Sequence, residues 1–387
     1  MSEASISERV RRIQEDPRTD IALYLPNLHG GGAERMMVNL SQGFVRRGVT
    51  VDLVLASAEG PYLEHVPSGV NVIGLESGGV MSSLPRFVRY LRRARPQTLL
   101  VTLNHAAVAA LLAVRLARTP TRVYVRESNM MFPGNVQSLK VKTLRLAVKR
   151  LYPWAAGHVA VSNGVAEDIH RFTGISPQRI HTIYNPVVTD ALKRQAEAPL
   201  NHPWFGPGKP PVLLAAGRLT GQKDYPTLLC AFQKVRAGRA AKLIILGEGK
   251  QRAELEALIA ELGTQDDVAL PGFVDNPFAY MARADLFVLS SAWEGLPGVL
   301  IQAMACGCPV VSTDCPSGPR EILKGGEYGP LIPVGDAQRL ADAVLETLES
   351  SVPATRLKAR ASDFSLETIS NEYLALLLPE KARAATA

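Results

Sequence analysis

The chain has 387 residues, is 47% hydrophobic and carries a formal net charge of +7. That length favours two domains over a single core, and the composition is ordinary for a globular protein. Residues 1–20 are polar and no apolar run reaches the ~18 residues of a spanning helix, so neither a secretory leader nor a membrane span is expected.

In chain order, Ile21–Leu25 reads as a buried strand. The glycine turn Gly30-Gly31-Gly32 follows, then an amphipathic helix over 34–47 that Gly48 stops. Further strands are expected at 51–55, 98–103, 122–125, 157–161 and 180–184. Helices are expected at 84–95, 105–117, 138–152 and from 164, where Ser162 supplies a cap. Residues 185–211 break the rhythm with Pro186, Pro199, Pro203, Pro207, Pro210 and Pro211, and read as an interdomain linker. The pattern then restarts, with strands at 212–216, 241–246, 268–270, 286–289 and 309–312. Its helices fall at 225–237, 251–262, 276–282 and 300–306. An amphipathic helix at 365–378 comes last, and the tail 381–387 is expected to be disordered. Alternation of this length implies an α/β protein with two doubly wound, Rossmann-like domains facing a central cleft, ligands binding outside the carboxyl ends of the strands.

The excess charge lies in one half: residues 1–190 sum to +9 and the remainder to −2. Such a half suits an anionic partner, whether lipid headgroups, a phosphorylated acceptor or nucleic acid. Segments 85–93 and 139–154 interleave cations with apolar and aromatic residues, as an interfacial helix on anionic lipid does; an outer helix with a solvated basic face has the same pattern. Cys230, Cys306, Cys308 and Cys315 fit a reducing compartment. No second Cys or His pair stands at zinc spacing, so they read as small core residues, and no metal site is expected.

The run Trp293-Glu294-Gly295-Leu296-Pro297-Gly298-Val299, leading into an apolar helix, carries the most chemistry. Its glycine-rich turn presents backbone N–H groups at a helix N-terminus, which favours an anion. A carboxylate does not bind phosphate, so Glu294 is assigned to sugar hydroxyls; phosphate plus polyol suggests a nucleotide sugar. Arg218 and Lys223, on the loop after strand 212–216, suit a diphosphate clamp, though a solvated surface pair looks the same. Glu248 and Phe273 follow the next two strands, where a base would lie; an aromatic there is also often core. Gly31 and Gly32 allow backbone to approach a pyrophosphate or merely form a tight turn. The dinucleotide fingerprint fails at Arg35. Glu127, after a strand of the first half, is a candidate acceptor or sugar contact, or else a cap or surface turn.

Together these pieces resemble the retaining glycosyltransferases of family 4, with the GT-B fold. The matching residues are Ala216-Gly217-Arg218-Leu219 with Lys223, Leu246-Gly247-Glu248-Gly249, Pro271-Gly272-Phe273 and the stretch 284–290. They continue with Glu294-Gly295-Leu296-Pro297 through 307–311, Gly335-Asp336, and in the first half Gly30-Gly31-Gly32-Ala33-Glu34-Arg35 and Val161-Ser162. The resemblance implies that Arg218 and Lys223 hold the donor diphosphate and that Glu294 contacts the donor sugar. It places Gly295, Leu296, Pro297, Gly298 and Val299 along sugar and phosphates, Gly31 and Gly32 by the diphosphate, and Glu248 and Phe273 near the base. The second acid of the family's E-x7-E motif is Gln302 here, which can still donate to and accept from a ribose diol. Segment 313–323 resembles a bacterial subset associated with N-acetylhexosamine transfer.

The implied domains are an acceptor-binding domain over 1–190, a linker over 191–211, a nucleotide-sugar domain over 212–362 and a helix over 363–380 returning to the first domain. The implied activity is retaining, metal-independent transfer from a UDP-sugar to a lipid-linked glycan or polysaccharide acceptor, without a cofactor or nucleic acid. The expected location is the cytoplasm, peripheral to the anionic inner face of the plasma membrane. A non-hydrolysing UDP-sugar epimerase and a non-catalytic nucleotide-sugar-binding protein share the fold pattern and are the alternatives.

Overall fold

The computed structural model describes residues 10–11, 19–29, 31–132 and 138–384. Gly30, most of 1–20 and the tail residues 385–387 lie outside the described residues. The chain divides into two compact units, one formed by Met1–Pro186 with Leu366–Ala387, the other by Val187–Ser365.

Unit one carries an eight-stranded parallel sheet. Its strands are β1 (Val10–Arg11), β2 (Ile21–Leu25), β3 (Val51–Leu55), β4 (Val70–Gly74), β5 (Thr98–Thr102), β6 (Arg122–Glu127), β7 (Gly157–Ala160) and β8 (Ile180–Thr182). They lie in the order β1-β4-β3-β2-β5-β6-β7-β8. Helices α1 (Gly32–Val45), α2 (Leu84–Ala94), α3 (Asn104–Ala117), α4 (Leu139–Leu151) and α5 (Asn163–Thr173) connect them. Every residue of β2, β3 and β5 is buried. Helices cover both faces of such a sheet, which is why these strands read as unbroken apolar runs. Helix α1 buries Met36, Met37, Leu40 and Phe44, one stripe at helical spacing. Strand β4 is not announced by the sequence, because Asn71 and Gly74 weaken its strand pattern.

Unit two begins with α6 (Asp190–Ala196) and carries a six-stranded parallel sheet: β9 (Val212–Ala216), β10 (Lys242–Leu246), β11 (Val268–Gly272), β12 (Leu286–Leu289), β13 (Val310–Thr313) and β14 (Leu331–Ile332). The order is β11-β10-β9-β12-β13-β14. Its other helices are α7 (Tyr225–Gly238), α8 (Arg252–Glu261), α9 (Pro277–Met281), α10 (Gly298–Cys306), α11 (Pro319–Ile322), α12 (Ala337–Glu349) and α13 (Ala354–Ser362).

The expected linker at 191–211 is corrected: that segment belongs to unit two, whose boundary falls after Pro186. Helix α6 forms inside it because the proline cluster starts only at Pro199. Thr189 caps it, accepting from Leu192 N at 3.2 Å, and Asn276 Nδ2 donates to Gln195 O at 2.8 Å.

The chain then returns to unit one as α14 (Leu366–Leu377) and α15 (Pro379–Ala384). A β-carbon at Gly43 of α1 would run into Ser370, so glycine lets α14 seat closely. Arg122 Nη2 and Thr98 Oγ1 donate to Leu377 O at 2.7 and 3.0 Å, satisfying a carbonyl at the helix end. The disorder expected from 381 onward is also corrected: the chain is helical through Ala384, and Lys381 Nζ sits 2.5 Å from the Asp20 carboxylate.

Both sheets reverse direction once, unit one between β2 and β5, unit two between β9 and β12. At such a switch point successive connections leave to opposite faces, and the crevice outside the carboxyl ends is where open α/β sheets take ligands.

Candidate active site

The switch point of unit two is formed by the loop after β9, with Gly217, Arg218 and Lys223, and the loop after β12, with Glu294. The two loops are tied together. Lys223 Nζ lies 2.5 Å from Glu294 Oε1, with side chains only 14% and 9% exposed. Gln222 Nε2 donates to Trp293 O at 2.9 Å and to Glu294 Oε2 at 3.4 Å. Ala292 N donates to Gln222 O at 2.8 Å, and Ser291 Oγ donates to Glu294 Oε1 at 2.7 Å. A buried ion pair is tolerated only when its remaining protons and lone pairs are satisfied in this way. The sequence assigns Lys223 and Glu294 separate tasks; the structure puts them in contact, 71 residues apart in the chain.

Residues 313–318, the first part of segment 313–323, also set the Glu294 loop. Thr313 Oγ1 donates to Ser291 O at 2.6 Å, Ser317 Oγ to Gly295 O at 2.9 Å, and Glu294 N to Pro316 O at 3.3 Å. Gly318 has φ +92°, and a β-carbon there would lie 2.5 Å from Pro297 Cδ and 3.0 Å from Gly295 O.

Helix α10 begins at Gly298, two residues before the expected start at 300. The N–H groups of Gly298 and Val299 have no acceptor among the described residues, so the first turn offers two donors at the positive end of the helix dipole. Leu296, Glu294 and Gln302 are all buried. Arg218 is exposed and has no partner among the described residues. Tyr225 does not stand out in the sequence, since a tyrosine opening an apolar helix looks like core. It is buried, yet its hydroxyl has no hydrogen-bond partner among the described residues, and a β-carbon at Gly217 would lie 3.0 Å from it. Burial, then the Glu294 charge, raise its pKa.

Glu248 and Phe273 stand further out. The Glu248 carboxylate faces solvent, where Arg252 holds it with bonds of 2.6 and 2.9 Å and lowers its pKa. Phe273 is 78% exposed, so it is not a core residue. Cys306 Sγ and Cys308 Sγ lie 3.8 and 3.5 Å from Phe278 O and Ala284 O, and burial pushes the Cys306 thiol up to about 12. Among the described residues no three His, Cys, Asp or Glu side chains gather as a metal-binding group.

In unit one, Gly31 caps α1 with extended backbone. A β-carbon there would meet only the flexible Glu34 carboxyl, and nothing lies within 4 Å of one at Gly32. Local sterics therefore demand glycine at neither position. Glu127 ends β6 and is 5% exposed, neither a cap nor a surface turn. Tyr152 Oη donates to its Oε1 at 2.5 Å, and Asn104 Nδ2 donates to Oε1 and Oε2 at 3.1 and 3.2 Å. Burial raises the Glu127 pKa to about 7 against the lowering effect of those bonds. Arg126 beside it is fully buried and donates to Tyr373 Oη, Thr102 Oγ1 and Asn185 Oδ1.

Comparison with known proteins identifies the family. The family model described as glycosyl transferases group 1 matches residues 202–364, and that described as glycosyltransferase family 4 matches 30–191. The chain is 32% identical over 301 residues to N-acetylgalactosamine-N,N'-diacetylbacillosaminyl-diphospho-undecaprenol 4-alpha-N-acetylgalactosaminyltransferase of Campylobacter jejuni, covering 76% of this chain and 79% of that protein. It is 29% identical over 355 residues to the lipopolysaccharide core biosynthesis glycosyltransferase LpsE of Rhizobium meliloti, covering 90% and 96%. Among solved structures, Anabaena HepE in complex with UDP superposes with a TM-score of 0.73 at 20% identity, covering 93% of this chain and 99% of that one. Sucrose-phosphate synthase from Thermosynechococcus elongatus does so with a TM-score of 0.75 at 20% identity, covering 93% and 98%. These last two matches speak for the fold. The chain is a family 4 glycosyltransferase with the GT-B fold.

Proposed function

We propose that this transferase moves an N-acetylhexosamine from a UDP-linked donor to a lipid-linked or polysaccharide acceptor in cell-envelope glycan synthesis, with retention at the anomeric carbon and without a metal ion. The observation that carries this reading is the Lys223–Glu294 pair between the two loops at the switch point of unit two. Arg218 on the same loop and the first-turn N–H groups of α10 add donors suited to a diphosphate. The names of relatives support the choice of sugar and acceptor: the Campylobacter jejuni protein is named for N-acetylgalactosamine and diphospho-undecaprenol, and Erwinia amylovora AmsD for amylovoran biosynthesis. HepE was solved with UDP.

The acceptor hydroxyl oxygen bonds to the anomeric carbon on the face from which the diphosphate leaves. The carbon–oxygen bond to the phosphate breaks, and the departing phosphate oxygen takes the hydroxyl proton. The chain supplies orientation and charge, not a base. Arg218 and Lys223 face the phosphates, where negative charge develops. Glu294 orients the sugar hydroxyls, and Gln302 bonds the ribose diol. Glu248 and Phe273 border the base.

Unit one attaches the enzyme to the anionic inner leaflet. Helix α2 buries Phe87, Tyr90 and Leu91 and turns Arg86, Arg89 and Arg92 outward. Helix α4 buries only Val148 and leaves Leu139 79% and Leu146 57% exposed beside Lys140, Lys142, Lys149 and Arg150. An outer helix buries a full apolar stripe; leucines left outside among cations suit a lipid interface. Among the described residues no helix is long and apolar enough to cross a membrane.

The test is label transfer from UDP-N-acetylhexosamine into organic-extractable lipid, with sedimentation on anionic liposomes at low and high salt. Label in the lipid phase and salt-sensitive sedimentation are expected. Label that enters neither the lipid phase nor polysaccharide refutes the acceptor class, and failure to sediment at low salt refutes attachment.

A further inference from the structure

Asn104 stands where β5 turns into α3, at the switch point of unit one. The turn into it is strained. Leu103 has φ +73° and ψ 125°, a conformation that bulky residues avoid and that persists where the surroundings hold it, often at a ligand site. The Asn104 amide is fixed on one side. Its Nδ2 donates to both Glu127 oxygens and, at 3.1 Å, to Tyr152 Oη, which itself donates to Glu127. With Glu127 ionised, turning the amide over would set Oδ1 against its carboxylate, which favours the orientation with Nδ2 toward Glu127. The other side is open. Asn104 is half-buried, and its Oδ1 has no partner among the described residues. The next residue, His105, lines a cavity of about 1460 Å³ together with Asn27, His29, Glu59 and Met81; Asn104 precedes it in the chain and is not itself among the lining residues. The cavity borders the carboxyl ends of β2, β3 and β4. Glu127, by contrast, has both oxygens engaged and almost no exposed surface.

We infer that Asn104, not Glu127, contacts the acceptor: Asn104 Oδ1 accepts a hydrogen bond from a hydroxyl or acetamido N–H of the acceptor's terminal sugar, and Glu127 and Tyr152 are positioning residues that hold the amide. This rests on the reading that unit one takes the acceptor. It assigns Glu127 a place behind the contact in place of the direct sugar contact considered from sequence. An asparagine held in this way rejects acceptors without a donor at that position, because its oxygen would then be left unpaired.

Steady-state kinetics of the full chain, varying acceptor and donor separately, test the inference. Asn104→Ala is expected to raise the acceptor KM about tenfold, the value of one hydrogen bond, and to leave the donor KM unchanged. Tyr152→Phe, which removes the Tyr152 hydroxyl from both the amide and Glu127 but keeps the two bonds from Asn104 to Glu127, is expected to raise it by a smaller factor. An acceptor analogue lacking the donating group should lose as much with the wild-type chain and lose nothing further with Asn104→Ala. That comparison separates a contact from a folding defect. An unchanged acceptor KM, an equal rise in both KM values, or additive losses from analogue and variant would overturn the assignment while leaving the transferase reading intact. A wild-type chain that releases UDP yet glycosylates neither lipid-linked nor polysaccharide acceptors would overturn both.

Discussion

Lys223→Met keeps the length of the lysine stem and removes its charge. Glu294 is then left 9% exposed with neutral donors alone, Ser291 Oγ at 2.7 Å and Gln222 Nε2 at 3.4 Å. Removing one partner of a buried pair costs about 3–5 kcal/mol, because the other charge is stranded. Two remaining donors and a lysine that is 14% exposed place this pair at the lower end, about 3 kcal/mol. Adding Glu294→Gln removes the stranded charge; its one amide oxygen accepts from Gln222 Nε2, and the Ser291 hydroxyl turns to accept from the new amide N–H. The double variant should therefore recover about 2 kcal/mol relative to the sum of the single changes. The assay is denaturant unfolding of the four chains of this cycle without ligand, following the transition of unit two. A coupling below about 0.5 kcal/mol would show the pair to be a screened surface contact, and the reasoning that makes it the framework of the donor site would fail.

Glu127 carries a pH signature. Burial raises its pKa from the ordinary 4.5 to about 7, so the folded state binds the proton more tightly. Stability from this group is complete below the unfolded value and is lost as pH rises through the folded value, about 3 kcal/mol in all. Glu127→Gln lacks this loss, so its thermal midpoint should gain on the wild type between pH 5 and 8; parallel profiles would contradict the burial argument. Gln302→Leu should weaken UDP binding roughly tenfold by calorimetry, while Gln302→Glu keeps activity; unchanged affinity in the leucine variant would remove Gln302 from the ribose. Transfer should persist in EDTA, and a complete loss restored by manganese would refute metal independence.

Much of the fold is legible because parallel strands covered on both faces must be continuous apolar runs. Ile21–Leu25 and Val212–Ala216 stand out for that reason, and the glycine and cation signals after them mark the carboxyl ends. Helix α6 is hidden by its proline-rich surroundings, and β4 by Asn71 and Gly74. Of the candidate sites, residue types on single loops are legible and tertiary partnerships are not. Asn104 lies 23 residues from Glu127, and Tyr152 lies 25 from it. No local pattern joins them, and the open oxygen of Asn104 is visible only once its amide nitrogen is seen to be occupied. Tyr225 is likewise indistinguishable from a core aromatic until its hydroxyl is found without a partner.

The central claim is that the Lys223–Glu294 site binds and activates a sugar nucleotide. Nucleoside diphosphate release across UDP-N-acetylgalactosamine, UDP-N-acetylglucosamine, UDP-glucose, UDP-galactose and GDP-mannose, with and without membrane lipid extract, tests it most directly beside Glu294→Ala. Release from one UDP-N-acetylhexosamine, stimulated by lipid and abolished by Glu294→Ala, is the expected result. Release that survives Glu294→Ala, or no release from any donor with lipid present, would contradict the account.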